Sequence, residues 1–155
     1  MLQAVFLDTG PLGLVTRRAG IPDVEACHRW IRLMMGAGVR LIVPEIADYE
    51  VRRELIRAGK KEGLSRLDVF LAAESDRYLP ITTPAMRKAA ELWADIRSKH
   101  LATADVLSLD ADVILAAQVM TAGLPAAEVV VASSNVRHIR RYVAADAWTN
   151  IQPAD

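Results

Sequence analysis

Short apolar runs and longer amphipathic stretches alternate along the chain. The run 2–7, Leu2-Gln3-Ala4-Val5-Phe6-Leu7, is short and almost wholly apolar, the pattern of a strand buried on both faces. Gly10 and Pro11 break it. Helical spacing then covers 23–35, with Asp23 near its start and Gly36 and Gly38 past its end. Residues 39–43 read as a second strand, and Pro44 fits the first position of a helix that reaches about Ala58 and stops at Gly59. Ser65 is placed to cap a helix through 73, and 78–81 is a short strand. Thr83-Pro84 is a cap-plus-proline start for a helix to about Lys99. Residues 101–109 look like a loop, and Asp110 caps a helix to Ala122, closed by Gly123-Leu124-Pro125. The fourth strand is 128–132, where Val129-Val130-Val131 strongly favours extended backbone. A helical turn over 136–142 and a last strand around 149–151 finish the chain. Strands alternating with helices predict an α/β fold with right-handed crossovers and a mostly parallel sheet covered on both faces.

Composition narrows the class without changing this picture. A chain of 155 residues, 52% hydrophobic and 25% charged, suits a single globular domain spanning 1–155 with a sizeable core. Its net charge of zero argues against tight non-specific nucleic-acid binding, although local basic patches are present. The single cysteine, Cys27, reads as a small buried apolar residue of the first long helix, with no base beside it in sequence. The start carries no basic leader and no apolar run approaches a membrane span, so a reducing, cytoplasmic setting is expected.

Three acids fall where strands give way to helices, the edge at which open α/β sheets bind ligands. Asp8 ends the first strand, Glu50 lies on the second long helix, and Asp112 opens the apolar stretch Asp112-Val113-Ile114-Leu115-Ala116-Ala117-Gln118. Carboxylates without thiols or imidazoles beside them suit a hard divalent cation. Each acid also has an ordinary explanation. Asp8 could be a turn residue bonded to its own backbone. Glu50 could pair with Arg53, as Glu54 with Arg57, on a solvated face. Helical geometry sets Glu50 beside Ala47 and Val51, unlike Glu45 and Asp48, and repulsion from Glu54 four residues on would be relieved by a cation. Asp110 is explained by capping, whereas Asp112 sits on a helix too apolar to carry an unpaired charge cheaply. Asp105 could support the site or do nothing. Ser133 and Asn135, after the fourth strand, either belong to a Ser134 or Asn135 helix cap or orient water or a phosphate oxygen.

The segments Phe6-Leu7-Asp8-Thr9-Gly10-Pro11-Leu12, Pro44-Glu45-Ile46-Ala47-Asp48-Tyr49-Glu50, Leu109-Asp110-Ala111-Asp112-Val113-Ile114-Leu115-Ala116-Ala117 and Val130-Val131-Ala132-Ser133-Ser134-Asn135, in this order, resemble the PIN-domain family and within it the VapC-type toxin ribonucleases. The resemblance implies a three-layer α/β/α domain with a central, mostly parallel sheet of about five strands. It implies Mg²⁺- or Mn²⁺-dependent endoribonuclease cleavage of single-stranded RNA. Asp8, Glu50 and Asp112 fall on the family's acidic, metal-holding positions, Ser133 where many members have Thr, and Asn135 where many have a fourth Asp. The asparagine is a departure that removes one negative charge.

The resemblance further implies the toxin of a type II toxin–antitoxin pair, a homodimer with RNA as substrate and a cognate antitoxin protein as partner. The alternative is a catalytically weakened PIN-like module that binds RNA or protein. A phosphatase with Asp8 as nucleophile fits poorly, because Gly10 stands where that chemistry wants a second acid. Arg137, His138, Arg140 and Arg141 next to Asn135, and Arg52, Arg53, Arg57, Lys60 and Lys61 along the second long helix, are the basic clusters available to a substrate; ordinary surface charge is the competing reading. His138 could instead pack against Trp148, and Trp30, Trp93 and Trp148 are read as core anchors.

Overall fold

The first apolar run becomes strand β1 (Ala4–Leu7), fully buried at all four residues, in a computed structural model that describes residues 1–99 and 106–154. Side chains alternate across a strand, so β1 serves two cores. Val5 and Leu7 join one, and Ala4 and Phe6 the other. Strands β2 (Arg40–Pro44), β3 (Tyr78–Leu79), β4 (Val129–Ala132) and β5 (Ala145–Asp146) complete a five-stranded sheet in the order β3-β2-β1-β4-β5. Every pairing is parallel; Ala4 stands opposite Arg40 on one side and Val129 on the other. Helices α1 (Thr9–Thr16), α2 (Pro22–Gly36), α3 (Glu45–Arg57) and α4 (Lys61–Ala72) bury Leu12, Trp30, Met34, Leu55 and Leu67 against the first core. Helices α5 (Thr83–Ser98), α6 (Val106–Met120) and α7 (Val136–Ile139) lie on the other side, where Leu115, Val119 and Ile139 meet Phe6. This is the expected three-layer α/β/α arrangement.

Four elements differ from the sequence reading. Gly10 and Pro11 do not merely end β1: α1 begins at Thr9, directly after Asp8. Pro11 falls in the first turn, where backbone N–H groups have no helical partner to lose. Helix α4 starts at Lys61 rather than at a Ser65 cap, so Gly63 lies inside it. A Cβ on Gly63 would stand 2.9 Å from Leu55 Cδ2, so α4 meets the Leu55 side chain of α3 closely there. Helix α6 begins by Val106, placing Asp110 in its second turn, exposed and not capping. Leu109 extends the stripe of Val113 and Ala117 that packs on Ala89 and Ile96 of α5. Residues 101–105, with Asp105, lie outside the described residues. The last strand is Ala145–Asp146, not 149–151, which instead overlaps the 3₁₀ turn Trp148–Asn150. Pairing with β4 imposes that strand on a segment of low β-propensity: Val131 N donates to Ala144 O (2.9 Å) and Ser133 N to Asp146 O (3.0 Å).

The tryptophans divide. Trp30 is buried, donates Nε1–H to Ile151 O (2.8 Å) and packs on half-buried Trp148 at 5.7 Å between ring centroids. Trp93 is exposed beneath the Arg97 guanidinium and anchors no core cluster. Among the described residues no helix is long and apolar enough to cross a membrane.

Gln118, the polar exception on apolar α6, is buried and bridges three elements. Its Oε1 accepts Ile46 N–H (3.2 Å) at the start of α3, and its Nε2 donates to Leu79 O (2.9 Å) on β3. Pro44 occupies the α3 N-cap with no side-chain hydrogen bond, so Gln118 supplies the missing acceptor from another helix. Gln118→Leu strands one buried donor and one acceptor and is expected to destabilise the fold by roughly 2–4 kcal/mol. Urea unfolding measures this; a change under about 0.5 kcal/mol would show that neither bond matters.

Candidate active site at the carboxyl edge of the sheet

Asp8 is delivered by the end of β1 and held by the start of α1. Its Oδ1 accepts Thr9 N–H (2.7 Å) and its Oδ2 accepts the Ser133 hydroxyl (2.7 Å). The turn reading of Asp8 was therefore correct as far as it went, since Asp8 is the N-cap of α1. Each oxygen keeps further acceptor capacity beyond these bonds. Close approach of α1 to the loop after β4 makes the Asp8–Ser133 contact possible. A Cβ on Gly10 would lie 3.0 Å from Ser134 Oγ. Ser133 in turn accepts Asn135 N–H at 2.9 Å.

Asn135 sits at the N-cap of α7 but makes no side-chain cap bond there. Its Nδ2 is turned to Asp112, 3.4 Å from both carboxylate oxygens. His138 stands on the same carboxylate, Nδ1 3.9 Å from Oδ2. Asp112 is buried on α6, as its apolar surroundings implied. Glu50 is half-buried on α3, with Arg53 Nη2 3.7 Å from Oε2.

Glu50 and Asp112 both sense the charge of Asp8. Burial holds the Asp8 carboxyl above its ordinary range, against the Ser133 and Thr9 hydrogen bonds that favour the anion. Burial and then the negative charge of Asp8 raise Glu50, partly offset by Arg53. Burial, followed by Asp8 and Glu50, pushes Asp112 up to about 6, against the Asn135 contact and the Arg141 charge. The fold thus gathers Asp8, Glu50 and Asp112 from β1, α3 and α6 into one region of negative potential, with Ser133 and Asn135 linking two of them.

Among the described residues, no three His, Cys, Asp or Glu side chains form a ready-made metal cage. The donor set nonetheless fits a hard cation. It consists of carboxylate oxygens whose anionic forms are penalised by burial and by mutual repulsion, and a divalent ion offsets both penalties. Asp8, Glu50 and Asp112 are the residues that would hold it.

One acid was misjudged. Asp48 was expected on the solvated face of α3, but it is buried. Arg52 Nη2 bonds its Oδ1 at 3.0 Å and reaches Asp68 Oδ1 on α4 at 2.7 Å, so Asp48 and Arg52 tie two helices together. Glu54–Arg57 is an exposed pair, as expected (2.8 Å). Arg140 is committed to Ala145 O (2.8 Å) and to Asp146. Of the basic residues after Asn135, His138 and Arg141 are the ones that act on an acid of the site. The i,i+3 spacing of Asn135 and His138, two polar residues that share one face of a short helix, is the sequence signal that joins His138 to the site.

A raised carboxyl pKa means the folded state binds the proton more tightly than the unfolded chain. For Asp112 that contribution is complete below its ordinary 3.8 and lost as pH rises through about 6. Asp8 and Glu50 act in the same direction. In chelator, Asp112→Asn is expected to be more stable than the parent at pH 8 by roughly 1–3 kcal/mol, the gap closing below about pH 4. Thermal melts across this range test it; a gap independent of pH would mean that the Asp112 charge is not penalised.

The profile of the family described as PIN domain matches residues 5–143. Comparison with curated proteins gives no match. Among solved structures, the chain is similar to one in VapBC2 from Rickettsia felis bound to a DNA fragment from their promoter, with TM-score 0.70 and 17% identity over 94% of this chain and 99% of that one. It is also similar to a chain of FitAcB from Neisseria gonorrhoeae, with TM-score 0.62 and 18% identity over 95% and 99%. A third is a chain of DNA-bound VapBC from Salmonella typhimurium, with TM-score 0.58 and 18% identity over 96% and 99%. At such identities the structural likeness speaks for the fold, and the family match spans nearly the whole sequence: the chain belongs to the PIN-domain family.

Proposed function

We propose that this PIN-domain chain is a Mg²⁺- or Mn²⁺-dependent endoribonuclease that cleaves single-stranded RNA, and that it is the toxin of a type II toxin–antitoxin pair. The hydrogen-bonded chain Asp8–Ser133–Asn135–Asp112 at the carboxyl edge of the sheet, with Glu50 in the field of Asp8, is the observation that carries the reading. Asp8, Glu50 and Asp112 would hold the divalent ion, which when bound would lower the pKa of a water and offset charge on the phosphate oxygens. The protein's own part is positioning. Ser133 donates to Asp8 and fixes its carboxylate; Asn135 steadies Ser133 through its backbone N–H and Asp112 through its amide. Arg53 and Arg141 temper the negative field, so that a phosphodiester can approach. Water attacks phosphorus and the bond to the 3′ oxygen breaks, leaving 5′-phosphate and 3′-hydroxyl ends.

The structural likeness to chains of VapBC assemblies supports an antitoxin protein as partner; the homodimer belongs to the same reading and rests on the family resemblance alone. The competing reading, a weakened binding module, draws on Asn135, whose amide faces Asp112 where a fourth acid would add charge. Calorimetry with millimolar Mn²⁺ separates them, since the module reading requires that no binding be seen. The nuclease reading makes a direct demand on Asp8. Asp8→Asn should retain its fold, by circular dichroism, and lose Mg²⁺- or Mn²⁺-dependent cleavage of total RNA. Parent-level cleavage by this variant would remove Asp8 from the mechanism.

A further inference from the structure

Beside the acids runs a groove of about 720 Å³ between α1, α3 and α4. Glu50 lines one part of it, so the groove is continuous with the candidate active site. Its charged lining is five basic residues against two acidic ones, in a chain whose net charge is zero. Two of the basic groups are already engaged. Arg57 pairs with Glu54 (2.8 Å), and Arg66 donates to Thr16 O (2.7 Å). Arg17, Arg18 and Lys60 are exposed, and among the described residues their side chains have no hydrogen-bond or ion-pair partner. Lys60 follows α3 but is also the N-cap of α4, whose dipole disfavours a positive charge. Arg17 and Arg18 follow the end of α1, where the helix dipole favours positive charge, and that effect accounts for their being tolerated there. It does not account for three unengaged cations on one concavity that leads to buried carboxylates.

We infer that this groove takes the sugar-phosphate backbone of the single-stranded RNA flanking the cleaved bond, with Arg17, Arg18 and Lys60 as its phosphate contacts. The inference rests on the nuclease reading above. Charge complementarity selects the occupant: a phosphodiester strand brings one negative charge per nucleotide to the unpaired cations. It also leads naturally to the acids, because a strand held along the groove passes Glu50. Base identity is not read by such contacts, which act on phosphates and set register only.

The test is fluorescence anisotropy of a labelled single-stranded oligoribonucleotide with the full chain, in chelator so that no cleavage occurs, over a range of salt concentrations. Arg17→Ala/Arg18→Ala/Lys60→Ala is compared with the parent and with Arg29→Ala/Arg32→Ala, two exposed arginines of α2 outside the groove. Loss of three phosphate contacts is expected to weaken binding about tenfold or more and to reduce the slope of log affinity against log salt by about 2, at roughly 0.7 per contact on single strands. The α2 variant should stay within about twofold of the parent, as surface charges away from a site usually do. Parent-like affinity and slope in the triple variant would overturn the groove assignment and leave the nuclease reading standing. So would equal losses in both variants, or a triple variant that loses an acidic protein partner while keeping RNA. If the parent itself fails to bind RNA, the nuclease reading falls and takes this inference with it.

Discussion

Burial of β1 on both faces is the constraint on which the rest of the molecule depends. The strand is hydrogen-bonded to β2 and β4 and packed by two separate cores, so its four residues have no freedom to slip. A shift of one residue would exchange Val5 and Leu7 with Ala4 and Phe6 and empty both cores. That rigidity places Asp8 to within one residue at the carboxyl edge. Capping then makes the placement reciprocal: the Asp8 carboxylate starts α1, and α1 brings Gly10 against Ser134. A strand end, a helix start and a loop 125 residues away in sequence are locked by two short hydrogen bonds.

The same edge concentrates unfavourable charge. Each acid there is partly or wholly removed from water, and the charge of Asp8 makes ionisation of Glu50 and Asp112 harder. Such an arrangement lowers the stability of the folded chain near neutral pH and is hard to explain as structure alone. Asp48 is the instructive contrast. It is as buried as Asp8, yet Arg52 pairs with it at 3.0 Å. Compensation by Arg52 distinguishes this acid, which braces two helices, from Asp8 and Asp112.

Much of the architecture was readable from local pattern. The all-apolar β1 and the valine run of β4 each declared a buried parallel strand, and Pro84 announced α5, although its cap is Thr82 and not Thr83. Asp8 and Asp112 were legible because an acid directly after, or within, an apolar run has to be explained. Failures came where neighbours overrode local preference. Helix α1 was hidden behind Gly10 and Pro11, residues that normally stop chains but are harmless in a first turn. The start of α4 was hidden by Gly63, which lies close against the Leu55 side chain. Ala145–Asp146 has no strand character and becomes one only because β4 offers an open edge. The sides of α3 were assigned from spacing, which placed Glu50 near apolar residues correctly but left Asp48 outside, since its partner Arg52 and the facing Asp68 are contributed by packing.

By itself, then, the order of apolar runs and helical stretches determined an α/β chain with a parallel sheet and put acids at the strand ends, because burial and side-chain period are local properties of sequence. Only the tertiary structure decided which acids share a field, which one is braced by arginine, and that Asn135 turns its amide to Asp112. Those outcomes depend on distances between segments far apart in the chain, and electrostatic coupling falls off with distance in space, to which separation along the sequence is no guide.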